Sequence, residues 1–281
     1  MSAVKKFVLV FLVSALMAGS IHADEDLKVE YADFILDKTK VYKNIEFIPD
    51  LIKLLSNTRD ATDEEKEING IFLNALNHTF DLEEAKKLVL EDVVRLNSES
   101  ELKLAVDWIS SPLGKKMLEM ADAEYSESFQ SSMVEYIDKM RDMPPSKKRQ
   151  ELIAEGMRLS GVVDKTVDTT KKILSGILRG KKLLTPQLKE ISDVEYEKRI
   201  QQAMDDMGYK LSKVVHEEIS LRHLYIYRNI SDEDLEKNID FMKTDAGKRF
   251  NVIFSSMNKL YDEVINNVLT KIKSDLASIQ S

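Results

Sequence analysis

The chain has 281 residues, a formal net charge of −8, no cysteine, nine glycines and five prolines. The absence of cysteine excludes disulfides and thiol catalysis, and the acidic balance argues against a general nucleic-acid binder, because counterion release rewards a basic surface. With so little Gly and Pro, abundant Leu, Lys, Glu, Ile and Ala, and no sustained two-residue alternation, the chain is expected to be all-α.

Residues 1–23 place Lys5 and Lys6 before an apolar run from Phe7 to Ala18 and then Gly19, Ser20, Ile21, His22 and Ala23. That order is the layout of a secretory signal peptide cleaved after Ala23, and its apolar core is shorter than the roughly 20 residues a bilayer-spanning helix needs. Removing it takes away two lysines and no acid, so the mature chain is more acidic still, and periplasmic or secreted localisation is the expectation. Helical spacing then runs from Tyr31 through Phe34 and Ile35 to Val41, and on through Ile45, Ile48, Ile52 and Leu55 with a bend before Pro49. Thr62 to Glu65 has the form of a capping box opening a helix with Ile68, Phe72, Ala75 and Leu76 on one stripe. Leu82 to Leu96 supplies the next.

Ser98 and Glu101 form a second capping box, heading a helix that turns Leu102, Ala105, Val106 and Ile109 inward with Trp108 beside them. Pro112 ends that helix, and with Ser111 as N-cap it begins another, since proline is tolerated in a first turn. Gly114 follows, then Lys115 and a long apolar stripe toward Met140, which Pro144 and Pro145 close. The same text recurs 133 residues later: Ser231 stands for Ser98, Asp234 for Glu101, Phe241 for Trp108, Gly247 for Gly114 and Lys248 for Lys115. Thr244 and Asp245 replace Ser111 and Pro112, a hydroxyl cap followed by a carboxylate at the positive end of the helix dipole. The organisation this implies is a tandem duplication giving two related antiparallel helical bundles, residues 24–145 and 146–281, with start signals in the second at Pro186, Ser192 and Ser231 and a final helix from Gly247 to about Ala277.

Leu159 to Lys165 early in the second unit, together with the capped helix ending in Trp108 to Met117, resembles the bacterial family called domain of unknown function 2059. Members carry an aromatic residue, Ser or Thr, Pro, a variable residue, Gly and Lys at this corner. The first corner matches that pattern, whereas the second lacks the proline. The resemblance implies an envelope-exported helical protein and supplies no catalytic residue.

Catalytic and ligand signatures are sparse. His216 and His223 lie two helical turns apart, roughly 10 Å at about 1.5 Å per residue, too far for one metal ion, so neither metal nor cofactor is expected. The glycine-rich run from Gly176 to Lys182 lacks the spacing and the Ser or Thr of a phosphate loop. Lys171 to Leu184 alternates basic and apolar residues, either a bundle helix with a solvated basic face or a surface-seeking helix for peripheral membrane attachment. Carboxylate pairs such as Glu64–Glu65, Glu83–Glu84 and Asp205–Asp206 read as solvated first turns, and Trp108 and Phe241 read as corner packing rather than a groove. The leading expectation is a non-enzymatic module that binds an envelope protein or small ligand between its halves, the alternatives being a hydrolase of envelope polymers using carboxylates in that cleft, or membrane attachment through Lys171–Leu184.

Overall fold

A computed structural model describes residues 25–56, 62–253 and 256–280, and every regular element among them is helical. The expected signal peptide lies outside the described residues. Helix α1 covers 25–38 and ends where the Thr39 hydroxyl donates to the Ile35 carbonyl at 2.7 Å and Lys40 turns left-handed at φ 60°. Two short helices follow, α2 (Val41–Glu46) and α3 (Ile48–Ser56), so the bend expected before Pro49 falls at Phe47.

Helices α4 (Asp63–Thr79) and α6 (Glu99–Ser110) both begin at complete capping boxes, with Glu65 and Glu101 reaching back to the N–H groups of Thr62 and Ser98 at 3.0 and 2.8 Å. Between them, α5 (Leu82–Leu96) is capped by Asp81. The stripe expected to run unbroken from Leu113 to Met140 is instead α7 (Pro112–Asp122), a 3-10 turn at Ala123–Tyr125 and α8 (Phe129–Asp142). The physical reason is a tertiary contact: the Tyr125 hydroxyl donates to Asn44 at 2.7 Å and its ring stacks on Phe47, docking the turn on α2 and burying Phe129 against Tyr225 beyond it.

Past Pro144 and Pro145 come α9 (Lys147–Ser160) and α10 (Val162–Leu184), divided by Gly161 at φ 61°, the left-handed conformation that glycine adopts without steric cost. A single turn, α11 (Pro186–Lys189), leads to α12 (Asp193–Ile226), the longest helix described. Helix α13 (Asp232–Lys243) is followed at a second corner by α14 (Asp245–Ile253), and α15 (Ser256–Gln280) closes the fold. The final helix expected from Gly247 to about Ala277 is described as α14 and α15, on either side of residues 254–255.

The cores do not follow the expected division at residue 145. The largest joins Ile35, Leu36, Phe72 and Leu102 of the first half to Ile173, Leu260 and Ile272 of the second, all essentially inaccessible to solvent. Burying each such side chain stabilises the fold by about 1.5–3 kcal/mol. Glycines allow the closest approaches in it: a Cβ on Gly180 would lie 2.7 Å from the Phe72 ring, and one on Gly176 would lie 2.4 Å from Ile265. The glycine-rich run that superficially resembled a phosphate loop is therefore a helix crossing. A second core sets Met117 of α7 against Ile153, Met157, Leu224 and Leu235 of α9, α12 and α13. Each half sends its closing helix to the other, α15 packing on α4 and α5, and α8 on α12.

Candidate functional site

The two corners are built alike. Ser111 adopts φ −65°, ψ 157° and Thr244 adopts φ −68°, ψ 162°. Each hydroxyl accepts from a glycine N–H, Gly114 at 3.0 Å and Gly247 at 3.1 Å, and donates to the aromatic carbonyl three residues back, Trp108 or Phe241, at 2.6 Å in both. A Cβ on Gly114 would sit 2.0 Å from the Trp108 carbonyl oxygen, and one on Gly247 would sit 2.2 Å from that of Phe241. The bend requires glycine for steric reasons, whichever residue, Pro112 or Asp245, begins the next helix. Lys115 and Lys248 point to solvent, the latter pairing with Asp245 at 3.2 Å.

The corners also meet. Trp108 and Phe241 stack on one another with centroids 4.7 Å apart and planes 13° from parallel, and Phe250 closes on Trp108 at 5.4 Å. Both rings are half-buried, so the expectation that each packs within its own unit is corrected: equivalent residues of the two halves pack on each other. Flanking ion pairs repeat the relation, Lys116 to Asp234 at 2.6 Å and Arg249 to Glu101 at 3.0 Å. Lys116 is the counterpart of Arg249 and Glu101 of Asp234, so residue i of one half meets j of the other while j meets i, the signature of an isologous two-fold contact. Lys116 holds the Asp234 carboxyl below its ordinary range, and the Ser98 N–H does so most strongly for Glu101. Asp234 lacks the reach of Glu101, so Ser231 accepts the Asp234 N–H at 3.1 Å without the reciprocal bond of a full capping box.

Beside the stacked rings lies a two-lobed cleft. One lobe, about 210 Å³, is walled by Trp108, Phe241 and Phe250 with Leu118 and Ala121 of α7. The other, about 90 Å³, reaches His223 and Tyr227 along α9, where Gly156 forms part of the wall. Met117, Ser160, Tyr227, Asn238 and Met242 border both. Burial, then the neighbouring Arg222 guanidinium, pushes the His223 imidazole down to about 4, while burial and Glu124 push the Tyr227 phenol up to about 12. Both are uncharged at neutral pH. Their rings lie edge to face at 5.7 Å.

Several sequence candidates fall elsewhere. No group of three or more His, Cys, Asp or Glu converges as a metal site among the described residues, and His216 stands apart from the cleft that His223 lines. Among the described residues no Asp or Glu lines either lobe. The apolar face of Lys171–Leu184 is engaged in packing, with Ile173 and Ile177 buried in the large core. Among the described residues no helix is long and apolar enough to cross a membrane. Sequence reasoning missed Gly156, Tyr227, Asn238 and the Lys116 and Arg249 pairs, although the ion pairs had a signal: opposite charges stand at matching positions of both corners. Family models, curated proteins and solved structures give no match to the chain.

Proposed function

We propose that this is an exported envelope protein, formed by tandem duplication of one helical unit related to domain of unknown function 2059, which binds a ligand between its halves without transforming it. The observation that carries the reading is the cleft itself, placed where the two corners meet and lined by their aromatics and by partly exposed polar groups. Ligand pockets are mostly apolar concavities with a few convergent polar groups at such junctions. A hydrolase acting through carboxylates finds no support in walls without Asp or Glu, and a membrane-surface helix finds none in Lys171–Leu184, whose apolar residues are packed inside.

The reading is tested in cells with a photo-crosslinking amino acid at position 121, on the cleft wall. The expected results are recovery of the chain from the periplasm with Asp24 as its first residue and a discrete crosslinked adduct at position 121. Retention in the cytoplasm would overturn the export part. Absence of any adduct, together with a native mass spectrum showing only the bare chain, would overturn the binding part.

A further inference from the structure

The chemistry of the cleft narrows what it accepts, given the reading that it is a binding site. Charged residues make up 32% of the chain, yet among the described residues neither lobe is lined by a single Asp, Glu, Lys or Arg. Moving a charge out of water into such walls costs several kcal/mol without a partner to offset it. Its polar groups are neutral: the Tyr227 hydroxyl, the His223 imidazole and the Asn238 amide, which makes a weak 3.7 Å approach to the Met242 sulfur. The lobes are also small, below the several hundred cubic ångströms of a drug-sized pocket.

Gly156 is an independent pointer. It lies inside α9, where glycine is a poor helix former, and a Cβ built on it meets nothing within 4 Å. At Gly114, Gly176, Gly180 and Gly247 a neighbouring group forbids a side chain; at Gly156, as at the exposed Gly70, none does, but Gly156 is part-buried and lines the cleft. It lines the smaller lobe together with His223 and Tyr227.

We propose that the cleft binds an uncharged small molecule with a flat ring body, the ring entering the lobe walled by Trp108, Phe241 and Phe250 and a neutral hydrogen-bonding group reaching His223 and Tyr227 beside Gly156. Aromatic walls favour offset or edge contacts with a ring, and a site with part-buried hydrogen-bonding groups disfavours ligands that leave them unpaired. Flexible Met117 and Met242 at the junction of the lobes adjust to the outline of the guest.

Isothermal titration of the mature full-length chain, with indole as the neutral probe and indole-3-acetate as its charged counterpart, tests the assignment. Indole is expected to saturate a single site, and indole-3-acetate to bind at least tenfold more weakly. Gly156→Leu, which fills the smaller lobe, should weaken indole binding at least tenfold with an unchanged far-UV circular dichroism spectrum, and Gly156→Ala should weaken it partially if the leucine variant does not fold. Equal binding of the charged probe, no binding of indole, or indole binding indifferent to both variants would overturn the ligand class. The crosslink from position 121 fails separately, because it asks whether anything occupies the cleft.

Discussion

Glycines in this chain do opposite things, and a single added methyl group separates them. At Gly114 and Gly247 the carbonyl six residues back occupies the position a Cβ would take, so Gly114→Ala and Gly247→Ala must each force the corner open. Both are expected to lose about 2–3 kcal/mol, in line with overpacking at a rigid backbone contact, and urea denaturation followed by circular dichroism measures it. A loss at one corner and none at the other would contradict their shared geometry. Gly156→Ala is expected to go the other way, gaining about 0.5–1 kcal/mol, because alanine is the better helix former and no neighbour objects. His223 adds a pH dependence. Its folded pKa of about 4 lies below the unfolded value near 6.5, so the unfolded chain takes up the proton more readily and the stability held in the neutral ring, complete above about pH 6.5, is lost as pH falls toward 4. Allowing for its partial exposure, about 2 kcal/mol should disappear between pH 7 and 4.5 in urea titrations of the native chain, and His223→Phe should remove that part of the slope. An identical slope in the variant would count against a neutral buried imidazole.

Helices were legible wherever local chemistry decides them. Thr62, Ser98, Ser111, Ser192, Ser231 and Thr244 all sit at helix starts, because a side-chain oxygen accepting an orphan N–H is a local device that a short stretch of sequence displays whole. Breaks imposed from a distance were not legible. The turn at Ala123–Tyr125 contains neither glycine nor proline, and what ends α7 there is Tyr125 docking on α2, some eighty residues earlier in the chain. The cleft was illegible for the same reason, since its walls come from α6, α7, α9, α12, α13 and α14 and each contributes residues that read alone as ordinary core. Arg149 shows how far such contacts decide an element's course. From α9 it donates to the carbonyls of Tyr227 and Ile230 and pairs with Asp232 at 2.6 Å, tying down the turn between α12 and α13. Arg149→Met is expected to cost about 2–3 kcal/mol, because two partly buried carbonyls lose a charged donor and Asp232 its partner. Arg149→Lys should recover only part of that, since an ammonium lacks the planar fork whose one nitrogen serves both carbonyls while another pairs with Asp232.

On the scale of the whole molecule, the interleaving of the halves governs how the chain comes apart. Had each half kept its own core, the segments before and after Pro144 and Pro145 would unfold as separate units joined by a turn. Instead α15 lies on α4 and α5, α8 lies on α12, and the largest core takes residues from both sides of that turn, so neither half can lose its packing while the other keeps its own. The paired corners tighten this coupling: Trp108 stacks on Phe241, with Lys116–Asp234 and Arg249–Glu101 spanning the same junction. Trp108 is the sole tryptophan of the chain, so its fluorescence reports the junction alone, whereas far-UV circular dichroism reports helices throughout. The two signals are expected to change together in one urea transition, the criterion of cooperative two-state unfolding. Truncating both rings should show the link directly, with Trp108→Leu and Phe241→Leu together costing about 0.5–1.5 kcal/mol less than the sum of the single substitutions, as for a stacked aromatic pair. Additive losses, or a fluorescence change that precedes the loss of helix, would mean that the halves hold themselves together independently and that the junction is only their point of contact.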